Sequence, residues 1–94
     1  MDIIIGNFIW DNRKELINIQ AHKVDFYTAA KAFKDPKRKI FIDSKHSRHE
    51  ERLFCIGKVE NEIITARFTY RKGKIRIFGA GYWRKGVKYY EEND

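Results

Sequence analysis

Apolar positions change their period partway along this chain. Before Pro36 they recur every three or four residues, and from Lys39 onward they alternate with polar ones, which predicts helices first and strands afterwards. A short strand over Phe8 to Trp10 opens the pattern. Asp11 or Asn12 then caps a helix, with Glu15 three residues after Asn12 completing a capping-box pattern. Leu16, Ile17, Ala21 and Val24 form its inner stripe. Asp25 caps a second helix, because Phe26, Ala29, Ala30 and Phe33 follow at the spacing of one helical face, and Asp35-Pro36 ends it.

The alternating half reads as strands over Lys39 to Asp43, Arg52 to Val59, Ile63 to Arg71 and Lys74 to Gly79, with turns at Glu60-Asn61 and Lys72-Gly73. Two-residue turns set a register. Arg71 then faces Lys74, Thr69 faces Arg76, Phe68 faces Ile77 and Arg67 faces Phe78. In the preceding hairpin Arg52 faces Thr69, Leu53 faces Phe68 and Phe54 faces Arg67. Side chains alternate between the two faces of a strand, so Leu53, Cys55, Val59, Ile64, Ala66, Phe68, Tyr70, Ile75 and Ile77 share an apolar face. The opposite face carries Arg52, Phe54, Arg67, Thr69, Arg71, Lys74, Arg76 and Phe78. After Gly81 a helical tail brings Tyr82, Trp83, Arg84 and Lys85, its aromatics packing the edge of the core. The expected fold is α+β: two N-terminal helices packed on one face of an antiparallel sheet of about four strands, with a short C-terminal helix.

Ninety-four residues suit one domain spanning 1–94. Twenty Lys and Arg against thirteen Asp and Glu leave a net charge of +7, which favours polyanionic partners, RNA among them. The single cysteine, Cys55, gives no disulfide framework, and Ile3 to Ile5 is too short for a signal peptide or a membrane span. A reducing cytoplasmic setting is expected.

Candidate chemistry sits on the basic face. Arginine suits bidentate contact with phosphate, and Phe54 and Phe78 beside Arg67 can stack unpaired bases. Lys74, Thr69, Arg84 and Lys85 extend the candidate RNA surface. His22, His46, His49, Glu50 and Glu51 are the candidates for moving a proton, a histidine first because it titrates nearest neutral pH. Asp43, His46, His49 and Glu50 have a loosely metal-like spacing, but no second cluster accompanies them, so neither metal nor other cofactor is expected. No glycine loop for phosphate and no nucleophile elbow occurs.

Several short motifs, in order, resemble BrnT toxins, which are similar in fold to RelE-type ribonucleases. They are Trp10-Asp11, Asn18 with His22, Val24-x-Phe26, Phe33-x-Asp35-Pro36, Asp43 with His46-Ser47, Glu50-Glu51-Arg52, Ile56-Gly57, Thr69-x-Arg71 and Arg76-Ile77 followed by Ala80. The resemblance implies an mRNA-degrading toxin neutralised by a BrnA-type antitoxin with a ribbon-helix-helix DNA-binding domain, the pair repressing its own operon. Carried over by position, it implicates His22, Arg52, Arg71 and Arg76, with Glu51 as a further candidate for proton transfer. This chain departs from the family pattern at Ala21-His22-Lys23, where Lys-His-Gly is usual, and at Gly79-Ala80-Gly81, where Ser-Ala-Arg is usual. Asn12 replaces a proline.

Two functions therefore compete with a metal-independent endoribonuclease. One is an RNA- or protein-binding module that keeps the basic face without the chemistry. The other is an adaptor whose basic face docks an acidic partner.

Overall fold

The computed structural model describes residues 1–92, so the last two positions of the expected 1–94 domain lie outside the described residues. Gly6, at φ 58°, and Asn7 turn the N-terminal apolar run back on itself. The result is a hairpin of β1 (Asp2–Ile5) and β2 (Phe8–Asp11), with Ile5 opposite Phe8 and Ile3 opposite Trp10. Helix α1 (Asn12–His22) follows directly. Asp11 is its cap, its Oδ1 accepting from the Arg13 and Lys14 amides at 2.7 and 3.3 Å.

Then come α2 (Phe26–Ala30), a 3-10 segment Lys31–Lys34, β3 (Lys39–Ile42), a 3-10 turn Ser44–His46, β4 (Leu53–Val59), β5 (Glu62–Arg71), β6 (Lys74–Gly81) and α3 (Arg84–Glu92). The sheet has six strands in the order β1-β2-β6-β5-β4-β3, and β2 runs parallel to β6. The α+β class and the C-terminal helix agree with the sequence reading, but an antiparallel sheet of about four strands under two N-terminal helices does not. The expected strand over Phe8 to Trp10 is present as β2, but it pairs in a hairpin with the unexpected β1 and joins β6 in parallel, which makes the sheet mixed. Gly-Asn between two apolar runs is the hairpin's signal.

The second helix is also shorter than its apolar spacing suggests. One α-helical stretch of five residues tightens into the 3-10 segment, which satisfies late carbonyls through shorter-range bonds and turns Ala32 and Phe33 inward together. Phe33 meets Phe8 and Phe68 edge-on, with ring centroids 5.3 and 4.9 Å away. Backbone crosses backbone at Gly57, where an added Cβ would lie 2.3 Å from the Ala32 carbonyl oxygen.

The expected hairpin register holds from Leu53 opposite Phe68 through Ile56 opposite Thr65, and from Arg71 opposite Lys74 through Phe68 opposite Ile77. A bulge between Arg67 and Phe68 then shifts the pairing, so Arg67 faces Gly79 rather than Phe78. Arg52 lies just before β4 and is not a strand partner of Thr69. The core lies on the apolar face under Trp10, Val24, Phe26, Ala29, Ala30 and Ala32. Tyr70, expected on that face, is exposed.

Helix α1 does not lay an apolar stripe on the sheet. Leu16 and Ile17 are 58% and 63% exposed, and Asn18 is the helix's buried residue. The reason is position: α1 packs alongside β6 beyond the end of the short β2 pairing, where bare strand backbone requires polar partners. On the opposite face α3 covers Ile56 and Thr65 through Gly86, so only part of the expected basic face is open.

Candidate functional site

The open part of that face is built around Phe78 on β6. The Arg52 guanidinium lies 4.5 Å from its ring centroid and that of Arg67 lies 5.3 Å away, so one aromatic ring supports two cations. Arg71, at the end of β5, donates from Nη2 to both Glu50 carboxylate oxygens at 2.8 and 3.1 Å, and Arg52 Nη2 stands 3.7 Å from the same carboxylate. The Glu50 carboxyl is held below its ordinary value of 4.5, first by the Arg71 hydrogen bond and further by the charges of Arg71, Arg52 and Arg76. Four arginines thus converge near one carboxylate and one ring.

Arg76 has its own internal partner. Its Nη2 donates to Asp2 Oδ2 at 2.8 Å, its side chain is 17% exposed, and its Nε is buried with no hydrogen-bond partner among the described residues. The β1 strand, which supplies Asp2, therefore partly masks it. Lys74 leans toward the Gly6 carbonyl in the same hairpin at 3.4 Å.

The loop from Asp43 to Arg52 borders these cations and is clasped at both ends. The Asp43 amide donates to the Arg52 carbonyl at 2.8 Å, and Ser47 Oγ donates to the Asp43 carbonyl at 2.7 Å while accepting from the Arg52 amide at 2.9 Å. Thr69 is buried, and its hydroxyl donates to the Glu51 carbonyl at 2.6 Å. Asp43 is buried too, with His46 Nδ1 2.7 Å from its Oδ2. A cavity of about 240 Å³ opens beside the pair, lined by Lys45, His46, Arg48, His49, Glu50 and Arg52. Among the described residues no group of three or more His, Cys, Asp or Glu is placed to hold a metal ion.

A family model for the ribonuclease toxin BrnT of type II toxin-antitoxin systems matches residues 10–86. The chain belongs to the BrnT toxin family. No curated protein matches it. Membership in this BrnT family brings ribonuclease toxicity, an RNA substrate and an antitoxin partner. Among the described residues no helix is long and apolar enough to cross a membrane.

The structure gathers the residues expected for a BrnT site unevenly. Arg52, Arg67, Arg71, Arg76 and Phe78 come together. His22 lies at the end of α1 with its ring 5.1 Å from Trp83, bordering a separate cavity of about 160 Å³ with Lys14, Ile17 and Phe78. Glu51 is exposed, and it is the neighbouring Glu50 that reaches the arginines. Phe54 is half-buried in an aromatic stack with Phe41, which in turn stacks on Tyr89, and Arg84 and Lys85 are exposed at the start of α3. Glu50, a candidate for proton transfer in the sequence, is instead the carboxylate that pairs with Arg71. The sequence gives no sign of Asp2, because an ion pair between distant segments leaves no periodic signal.

Proposed function

We propose that this chain is a metal-independent endoribonuclease that cleaves mRNA in the cytoplasm and is neutralised by a BrnA-type antitoxin with a ribbon-helix-helix domain. The observation that carries this reading is the convergence of Arg52, Arg71 and Arg76 around Glu50, with Arg52 also resting on the Phe78 ring. Attack of a ribose 2'-hydroxyl on the adjacent phosphate adds negative charge there, and preorganised guanidinium forks stabilise it without help from water. Phe78 and Arg67 offer a stacking platform for an unpaired base, while Phe54, Lys74, Arg84 and Lys85 line the path of the strand. His22 on Trp83 flanks this path as an RNA contact.

One observation favours a binding-only reading. A Cβ at Gly81 would lie 2.9 Å from the Trp83 ring, so the side chain usual in the family at this position is replaced by an aromatic wall. Purified protein incubated with a defined single-stranded RNA and excess chelator decides between the two. Cleavage leaving a 2',3'-cyclic phosphate is expected, whereas binding of intact RNA by folded protein would leave only the binding module. Induction in cells should arrest growth, and co-expression of the antitoxin should restore it.

A further inference from the structure

We propose that Asp43 and His46 form the proton-transfer pair of the site, with His46 Nε2 acting on the ribose 2'-hydroxyl and Asp43 as its positioning residue. The inference rests on the ribonuclease reading above and names the group which that reading leaves open.

The geometry begins with Asp43. Its carboxylate is buried, a costly state unless strongly paired, and its partner is the His46 ring at 2.7 Å. A carboxylate only accepts hydrogen bonds, so Nδ1 carries the proton in the neutral ring and Nε2 is left with a free lone pair. The His46 side chain is 55% exposed, against 9% for Asp43, so the pair is anchored at one end and open at the other. A histidine serving only to brace a loop has no need of an open ring edge.

The second element is what holds the pair in place. Asp43 and Arg52 are joined by a backbone hydrogen bond and by the shared Ser47 hydroxyl, which fixes the histidine's anchor to the residue whose guanidinium rests on Phe78. His46 and Arg52 line the same cavity, together with His49 and Glu50. A phosphate drawn to Arg52 thus comes to the cavity that His46 borders. His22 does not line that cavity: it borders another, which shares Phe78 with the arginines, and its ring packs edge-on against Trp83.

The step balances without a further reactant. His46 Nε2 takes the 2'-hydroxyl proton as the 2'-oxygen forms its bond to phosphorus. The bond from phosphorus to the 5'-oxygen breaks, and that oxygen takes a proton from solvent. The imidazolium then returns its proton to solvent, leaving a 2',3'-cyclic phosphate and a 5'-hydroxyl.

Single-turnover cleavage of a defined RNA tests the proposal, with affinity measured separately on the same RNA carrying a 2'-deoxy nucleotide at the scissile position. His46→Ala should slow cleavage by roughly a hundredfold or more and leave affinity for the uncleavable RNA nearly intact. Free imidazole should restore part of the rate in His46→Ala, and His46→Gln should be as slow as His46→Ala at unchanged thermal stability. Asp43→Asn should slow cleavage while preserving affinity. A wild-type rate in folded His46→Ala, or a slow rate that imidazole does not raise, would overturn the assignment while the ribonuclease reading stands. If the folded wild-type protein binds this RNA and does not cut it, the ribonuclease reading falls, and this assignment with it.

Discussion

Asn18 treats Ala80 as a neighbouring strand would: its Nδ2 donates to the Ala80 carbonyl at 3.0 Å and its Oδ1 accepts from the Ala80 amide at 3.1 Å. The same Nδ2 also donates to the Val24 carbonyl at 3.0 Å, tying α1 both to the end of β6 and to the entry of α2. Asn18→Ala would leave several buried backbone groups without partners, each worth about 1–3 kcal/mol. A loss of about 2–4 kcal/mol in urea denaturation is expected. A change of a few tenths would mean that water replaces the amide.

Gly57 is where β4 and the 3-10 segment meet with no side chain between them. Because a Cβ there meets the Ala32 carbonyl oxygen at 2.3 Å, Gly57→Ala must push the segment off the sheet. Overpacking of this kind costs about 1–3 kcal/mol or more. Gly73→Ala is a useful contrast, since its Cβ would meet nothing within 4 Å and its strain comes only from φ 77°. A larger fall in melting temperature for Gly73→Ala would contradict this account.

Glu50 should titrate below 4.5 because Arg71 donates to its ionised form. A lowered folded value means that the pair's stabilisation is present above the unfolded value and is lost as pH falls through the folded one. With Glu50 and Arg71 both partly exposed, that stabilisation is small. Carbon-detected NMR titration should show the midpoint rising in Arg71→Ala. It should also rise on addition of uncleavable RNA, if phosphate takes the Arg71 fork. An unchanged midpoint with bound RNA would place the strand elsewhere.

Each phosphate contacted on a single strand should contribute about 0.7 to the fall of log affinity with log salt. Arg52→Ala and Arg76→Ala should each make that slope shallower. Asp2→Asn removes the carboxylate that holds Arg76 and should tighten binding of the uncleavable RNA. Filter binding across a salt series checks all three, and slopes identical to wild type would remove the arginine face from the interface.

Much of the chain's local structure was legible in its sequence. The hairpin register from Leu53 to Ile77, the cap at Asp25 and the apolar face of the central strands follow from periodicity and turn chemistry, which act over a few residues. The same alternation puts Arg71 and Arg76 on the side opposite the core, and the family resemblance separately implicates them together with Arg52. Tertiary structure decided the remainder. Leu16 and Ile17 looked like an inner stripe, yet α1 sits where the open backbone of β6 demanded a polar anchor, and Asn18 is buried in their place. The parallel union of β2 with β6, the pairing of Asp2 with Arg76 and the gathering of Glu50 with three arginines join segments far apart in the chain. Such contacts depend on which surfaces remain uncovered after the core has closed, and no local spacing records that.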